Sequence, residues 1–236
     1  MSNFQPQPAW ISASTAETGM RVRAFIRSVY AWMFGGLLLT AFASLWVVSS
    51  PSMQQLILHN PVMMIVLIIA EFGLVIAISA GLQRFSAATA ASMFLVYSLL
   101  NGLTLSVILF AYTASSVVQA FVVAAGMFGA MSVYGMVTKR DLTSWGSFFF
   151  MGLIGIVLCM FVNFFVASSG LTFIISIIGV FVFVGLTAWD TQKLKSYATV
   201  GGPMQENLAI YGALRLYLDF LNLFLFLLRI FGDRRR

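Results

Sequence analysis

Residues 145–167 read WGSFFFMGLIGIVLCMFVNFFVA, an apolar run without a single Asp, Glu, Lys or Arg. A bilayer core about 30 Å thick is crossed by about 20 apolar residues of helix, and a backbone in lipid must satisfy its own hydrogen bonds. The run therefore predicts a membrane-crossing helix. Working outward in both directions, comparable runs occupy 28–49, 61–81, 87–111, 117–137, 171–190 and 208–231. Turn chemistry separates them: Ser49-Ser50-Pro51, Asn60-Pro61, Thr113-Ala114-Ser115-Ser116, Ser168-Ser169-Gly170 and Gly201-Gly202-Pro203. None of the runs alternates with period two, which argues against transmembrane strands. The expected fold class is an all-α membrane protein with seven transmembrane helices (28–231), a polar N-terminal tail (1–27) and a basic C-terminal tail (232–236).

Composition points the same way. Of 236 residues, 61% are hydrophobic and 8% charged, against about 25% charged in an ordinary soluble domain. One Cys (Cys159) and one His (His59) exclude a disulfide framework and a Cys/His metal site within one chain. The net charge of +6 does not indicate nucleic acid, because the basic residues fall in short clusters between apolar runs, where membrane orientation accounts for them. Residues 1–20 are polar, contain Pro6 and Pro8, and precede the first apolar run; they read as a short disordered tail rather than a secretory signal.

Orientation follows from the Lys and Arg count. Arg21, Arg23, Arg27, Arg84, Lys139, Arg140, Lys193 and Lys195 lie in the N-tail and the even-numbered connections, and the odd-numbered connections hold none. The positive-inside rule puts the N-terminus in the cytoplasm. The last segment stays open: a full crossing places Arg234, Arg235 and Arg236 outside, and a segment that dips and returns keeps them inside. Small residues at Gly126/Ala130, Ala125/Gly129, Gly152 and Gly155 are expected to form close-packed helix seams.

Ionisable side chains inside these runs carry the functional signal, since one at mid-membrane costs roughly 2.5–3.5 kcal/mol on insertion scales. Glu71, ten residues into the second run, sits roughly 15 Å deep at ~1.5 Å per residue; it is either a protonated, hydrogen-bonded core residue or part of an ion path. Asp219 stands within Leu216-Tyr217-Leu218-Asp219-Phe220-Leu221-Asn222; it is either functional or paired structurally with Arg215 four residues earlier, the weaker order of charges for a helix pair, and Asn222 extends the polar face. This places the last helix at the centre of the bundle. Asp190, at the end of the sixth run, opposes the helix dipole, so either the helix runs past Lys195 or Asp190 has a basic partner, Lys193 being the nearest. If residues 196–206 fold back, the two aspartates approach. Two carboxyl groups in contact in a low dielectric cannot both ionise cheaply and titrate as a unit; they also offer oxygens to a hard cation such as Ca²⁺. Proton and cation then compete.

Thr187 to Gln192, Leu216 to Phe224, the following Gly232 and the connection Thr138-Lys139-Arg140-Asp141-Leu142 resemble the bacterial branch of the transmembrane Bax inhibitor motif family, over nearly the whole chain. The resemblance implies six helices around a central C-terminal one, in the bacterial inner (cytoplasmic) membrane. It implies a pH-sensitive Ca²⁺ leak with a di-aspartyl sensor at Asp190 and Asp219, and a Glu on the ion path at Glu71. It also implies an Arg latch at the end of the second helix; Arg84 is the nearest candidate, two residues beyond the expected spot near Leu82, and Arg215 is an electrostatic substitute.

Three functions remain open: a passive leak channel, a proton-coupled cation exchanger, and a non-transporting membrane protein that modulates a protease or another partner. The expected partners are lipid, Ca²⁺, protons and such a membrane protein, with no nucleic acid and no cofactor. Enzymatic chemistry is not expected, because His59 sits in a loop and Cys159 has no base near it in sequence.

Overall fold

The computed structural model describes residues 9–81, 84–199 and 204–235. Pro6 and Pro8, Leu82, the break Gly201-Gly202-Pro203 and Arg236 lie outside the described residues. Among those described, eight helices follow one another: α1 (Ala9–Ser49), α2 (Pro51–Ile57), α3 (Pro61–Ala80), α4 (Ala87–Ala111), α5 (Ala114–Val137), α6 (Thr143–Val166), α7 (Ser169–Ala198) and α8 (Met204–Phe231). Six of them, α1 and α3 to α7, are long and apolar enough to cross a membrane.

Local chemistry fixes the boundaries. Asn60, Ser86, Thr113 and Ser168 each accept the backbone N–H three residues on, the N-cap geometry. Before α6 the N-cap is Leu142, without a side-chain cap bond, and the carboxylate of the preceding Asp141 accepts the hydroxyl and N–H of Thr143; these bonds hold it below the usual carboxylate range. The first break conceals a short helix, α2, because Pro51 occupies its first turn, where a missing N–H costs nothing. Helix α1 starts at Ala9, where the sequence reading expected a disordered tail; between Ala9 and Gly19 no Pro or Gly interrupts it.

Helix α8 is the most buried element, with Ala213, Leu216, Tyr217 and Leu223 wholly inaccessible. It packs along α1, α4, α5 and α7, whereas α3 leans on α4 and α6 on α7. The expected ring of six helices is thus open on one side. Between Asn207 and Leu228 the residues of α8 not fully buried are Tyr211, Arg215, Leu218, Asn222 and Leu225. Their spacing of four, three, four, three marks one stripe of a helix.

The two ends of α8 are pinned to opposite ends of α4. Asn207 Nδ2 donates to the Phe85 carbonyl, 2.8 Å, just before α4. Beyond α8, Thr113 N–H donates to Asp233 O and Arg235 N–H to Ala111 O at α4's far end, while Asp233 N–H donates to Ser116 Oγ, 2.9 Å. α8 is therefore one continuous helix as tall as α4 and does not dip and return.

Of the expected small-residue seams only the one at Gly152 forms. Ala125, Gly126, Gly129 and Ala130 face outward, and α5 buries Ala120, Ala124, Phe128, Ser132 and Gly135 instead. Gly126, Gly129 and Gly155 have open space where a side chain would stand, whereas Gly152 meets Val182 of α7. Among the tight contacts are Gly135 on the Ala188 backbone and Gly146 under the Trp189 ring; both bring α7 close at the Asp190 turn. Apolar side chains such as Phe72, Phe161, Phe164, Phe165 and Phe181 cover the outside, a surface that only lipid can solvate.

Candidate functional site

Asp190 is presented by a helix that continues to Ala198, so the carboxylate does not sit on an exposed C-terminus. Gln192, two residues on, locks this turn to the α5–α6 connection: its amide donates to the Arg140 carbonyl, 2.7 Å, and accepts the Leu142 N–H, 2.8 Å. Tyr30 of α1 reaches Thr191 on the other side, 3.4 Å. The turn that carries Asp190 is held by three neighbours.

Asp190 also has the basic partner that its position calls for. Arg215 of α8 places its Nη2 2.8 Å from Oδ1 and its Nε 3.1 Å from Oδ2. Nε–H donates the hydrogen bond, to Oδ2, while the contact at Oδ1 is an ion pair without a hydrogen bond. The structural alternatives in the sequence, Arg215 with Asp219 and Lys193 with Asp190, are not the pair formed; the Arg215 pair crosses between helices, because the face of α7 that bears Asp190 is packed on α8. Lys193 lies over the Trp189 and Tyr197 rings, and Arg215 stacks 5.1 Å from the centre of Trp189.

Asp219 stands one helical turn beyond Arg215, with Asp190 and Asp219 each about 5% exposed. The two carboxyl groups are within hydrogen-bonding reach of each other. Asp219 Oδ2 is buried and receives no donor. Two carboxyls in this relation satisfy each other when a proton lies between them. With Arg215, Leu218, Asn222, Phe150, Leu153, Phe183 and Leu186 they line a cavity of about 230 Å³.

Glu71 faces inward from α3 and accepts from two residues of α4, Thr104 Oγ1 at 2.9 Å and Asn101 Nδ2 at 3.4 Å. Asn101 extends the polar line, taking the Tyr217 hydroxyl on its Oδ1 at 3.3 Å and donating to Tyr97; Tyr217 in turn meets the Thr40 hydroxyl of α1. Asn101, Thr104, Tyr97 and Tyr217 were missed at the sequence level. The signal was present: a polar amide or hydroxyl in the middle of an apolar run asks for a reason as a charge does, only more weakly. Glu71, Tyr97, Asn101 and Asn222 share a second cavity, about 450 Å³. Arg84 is exposed in the α3–α4 turn. The guanidinium at Asp190 is Arg215.

Among the described residues no three His, Cys, Asp or Glu side chains gather as a metal cluster. The oxygens at Asp190 and Asp219 could receive a cation only together with water or backbone oxygens.

The model of the family described as inhibitor of apoptosis-promoting Bax1 matches residues 22–236. The inner membrane protein YbhL of Escherichia coli (strain K12) is 50% identical over 228 residues, 95% of this chain and 97% of that protein. A protein of Deinococcus radiodurans is 46% identical over 95% of this chain and 96% of its own length. A membrane protein of Streptococcus pyogenes serotype M6 is 38% identical over 92% and 95%. On a match that includes α3, α7 and α8, and with them Glu71, Asp190, Arg215 and Asp219, this multi-pass membrane protein belongs to the Bax inhibitor family.

Proposed function

We propose that the protein is a pH-sensitive passive leak for Ca²⁺, with Asp190 and Asp219 as the proton sensor, Arg215 as the charge that holds Asp190, and Glu71 on the cation's way. In this reading α8 is the seventh crossing, and the Asp190 end of the bundle, with the basic clusters, faces the cytoplasm. The observation that carries it is the pair of neighbouring buried aspartates, one of them ion-paired to Arg215, with Asp190 Oδ1 and Asp219 Oδ2 each lacking a hydrogen-bond donor.

The charge balance supplies the mechanism. Two carboxylates and one guanidinium sum to −1, and one proton brings the cluster to zero. Arg215 is committed to Asp190, so the proton falls to Asp219. In a low dielectric this neutral state offers a cation little. Once the proton leaves, the cavity gains a negative charge, and a divalent cation that enters with water finds oxygens no longer blocked. Proton and cation exclude each other, so the leak rises with pH. Ca²⁺ is cargo here, not a resident cofactor.

The test is Ca²⁺ entry into sealed liposomes bearing the purified protein, with internal pH recorded. Entry down the gradient with no fixed proton count supports the leak. Opposite proton movement in constant ratio would make the protein an exchanger. Tight liposomes, with a membrane protein co-purifying from cells, would support the partner-modulating role.

A further inference from the structure

The cavity at Asp219 is closed by α7 and the cavity at Glu71 by α3 and α4, yet both are also lined by α6 and α8 and both include Leu218 and Asn222 of α8. These two residues lie at the middle of α8's partly open stripe, between Arg215 on one side and Leu225 on the other. Opposite them stand Leu153 and Val157 of α6, one helical turn apart and one in each cavity. Of the two described residues common to both cavities, Asn222 is the one with a polar side chain.

Its orientation is set. Asn222 Nδ2 donates to the Leu218 carbonyl, 2.8 Å, one turn back on the same helix. That bond engages one of the amide's two N–H groups on the helix's own backbone and leaves Oδ1 out of it. Asn222 thus offers a neutral oxygen between two carboxylates, Glu71 in one cavity and Asp219 in the other. A cation leaving one carboxylate for the other would otherwise cross only leucine and valine. Bare apolar constrictions stop ions by excluding their water, and a ligand that is neutral binds weakly enough to release.

We propose that Asn222 is the relay that carries the cation between the two cavities, and that Leu218 beside it forms the hydrophobic part of that constriction. The proposal rests on the leak reading above. The charged or titratable groups facing the constriction are Asp190, Asp219 and Arg215 on one side, Glu71 and Tyr97 on the other; none is altered by substitution at 218 or 222.

The experiment compares Ca²⁺ and K⁺ entry into liposomes for the wild type, Asn222→Leu, Asn222→Asp and Leu218→Ala across pH. Expected are a fall of at least about tenfold in Ca²⁺ rate for Asn222→Leu with an unchanged pH midpoint, a higher Ca²⁺-to-K⁺ ratio for Asn222→Asp, and a faster leak for Leu218→Ala. Should Asn222→Leu fail to fold, the ion ratio of Asn222→Asp and the rate of Leu218→Ala decide. A leaking wild type whose variants keep its rate and ratio overturns the relay while the leak stands. A wild type that passes no cation removes the leak, and the relay with it.

Discussion

Replacing Arg215 with Met tests the ion pair on which the site is built. The pair is well inside the protein, with side-chain exposure of 24% for Arg215 and 6% for Asp190. Removing one partner of a buried pair costs about 3–5 kcal/mol, because the other charge is left without compensation. Asp190 has an escape, which is to take up a proton. Relative to an ordinary aspartate, with a pKa near 3.9, that uptake at pH 7 costs about 4 kcal/mol at ~1.4 kcal/mol per unit, so the two routes predict a similar loss. They also fix its sign with pH. The variant's folded state would hold a proton that its unfolded chain does not, so the deficit grows as pH rises from about 4 towards 7 and shrinks in acid. The second substitution, Asp190→Asn, removes the orphaned charge, and the double variant should recover most of the loss. Thermal unfolding of the detergent-solubilised protein, followed by tryptophan fluorescence, supplies the double-mutant cycle. At about 2–4 °C per kcal/mol for a chain of this size, Arg215→Met should lower Tm by about 6–20 °C at pH 7. Single effects that add, with coupling below about 0.5 kcal/mol, would refute the pairing.

Two further substitutions probe the frame around the site. Tyr217→Phe removes the hydroxyl that joins Thr40 to Asn101 inside a fully buried environment; stability should fall by about 1–3 kcal/mol, and an unchanged unfolding midpoint would show that this line of hydrogen bonds is dispensable. Ending the chain after Phe231 removes the backbone bonds from Asp233 and Arg235 to the α4–α5 turn. Hydrogen exchange at Thr113, Ser116 and the last turn of α8 should accelerate, with the Asp190 turn unaffected, whereas unchanged protection would mean that α8 is held without the clasp.

Most of the architecture could be read from apolar run length, because lipid imposes a minimum span and forbids unpaired backbone. Six of the seven expected runs overlap helices long and apolar enough to cross, and the seventh α8, although α1 begins at Ala9 rather than near 28 and α7 continues to Ala198 rather than ending near 190. What run length cannot encode is which face of a helix meets another. The Gly126/Ala130 spacing suits a seam, yet that face turns outward, since the larger buried residue Phe128 selects the opposite face of α5. Pairings went the same way. Proximity in sequence suggested Arg215 with Asp219 and Lys193 with Asp190, whereas the contact of α7 with α8 joins Arg215 to Asp190. The aspartates themselves were legible because a charge in an apolar run is expensive. Asn101 and Thr104 were not, because an amide or a hydroxyl in a helix can satisfy itself locally and gives a fainter signal.

The most direct test of the central claim, that the buried carboxyl pair governs cation passage by holding or releasing a proton, is Ca²⁺ entry into liposomes from about pH 5 to 9 for the wild type and Asp219→Asn. Asparagine keeps the shape of a protonated aspartate and cannot lose the proton. The account predicts a wild-type rate that climbs with pH and a variant rate that stays flat at the acid-side level. A variant that still follows the wild-type curve would contradict it.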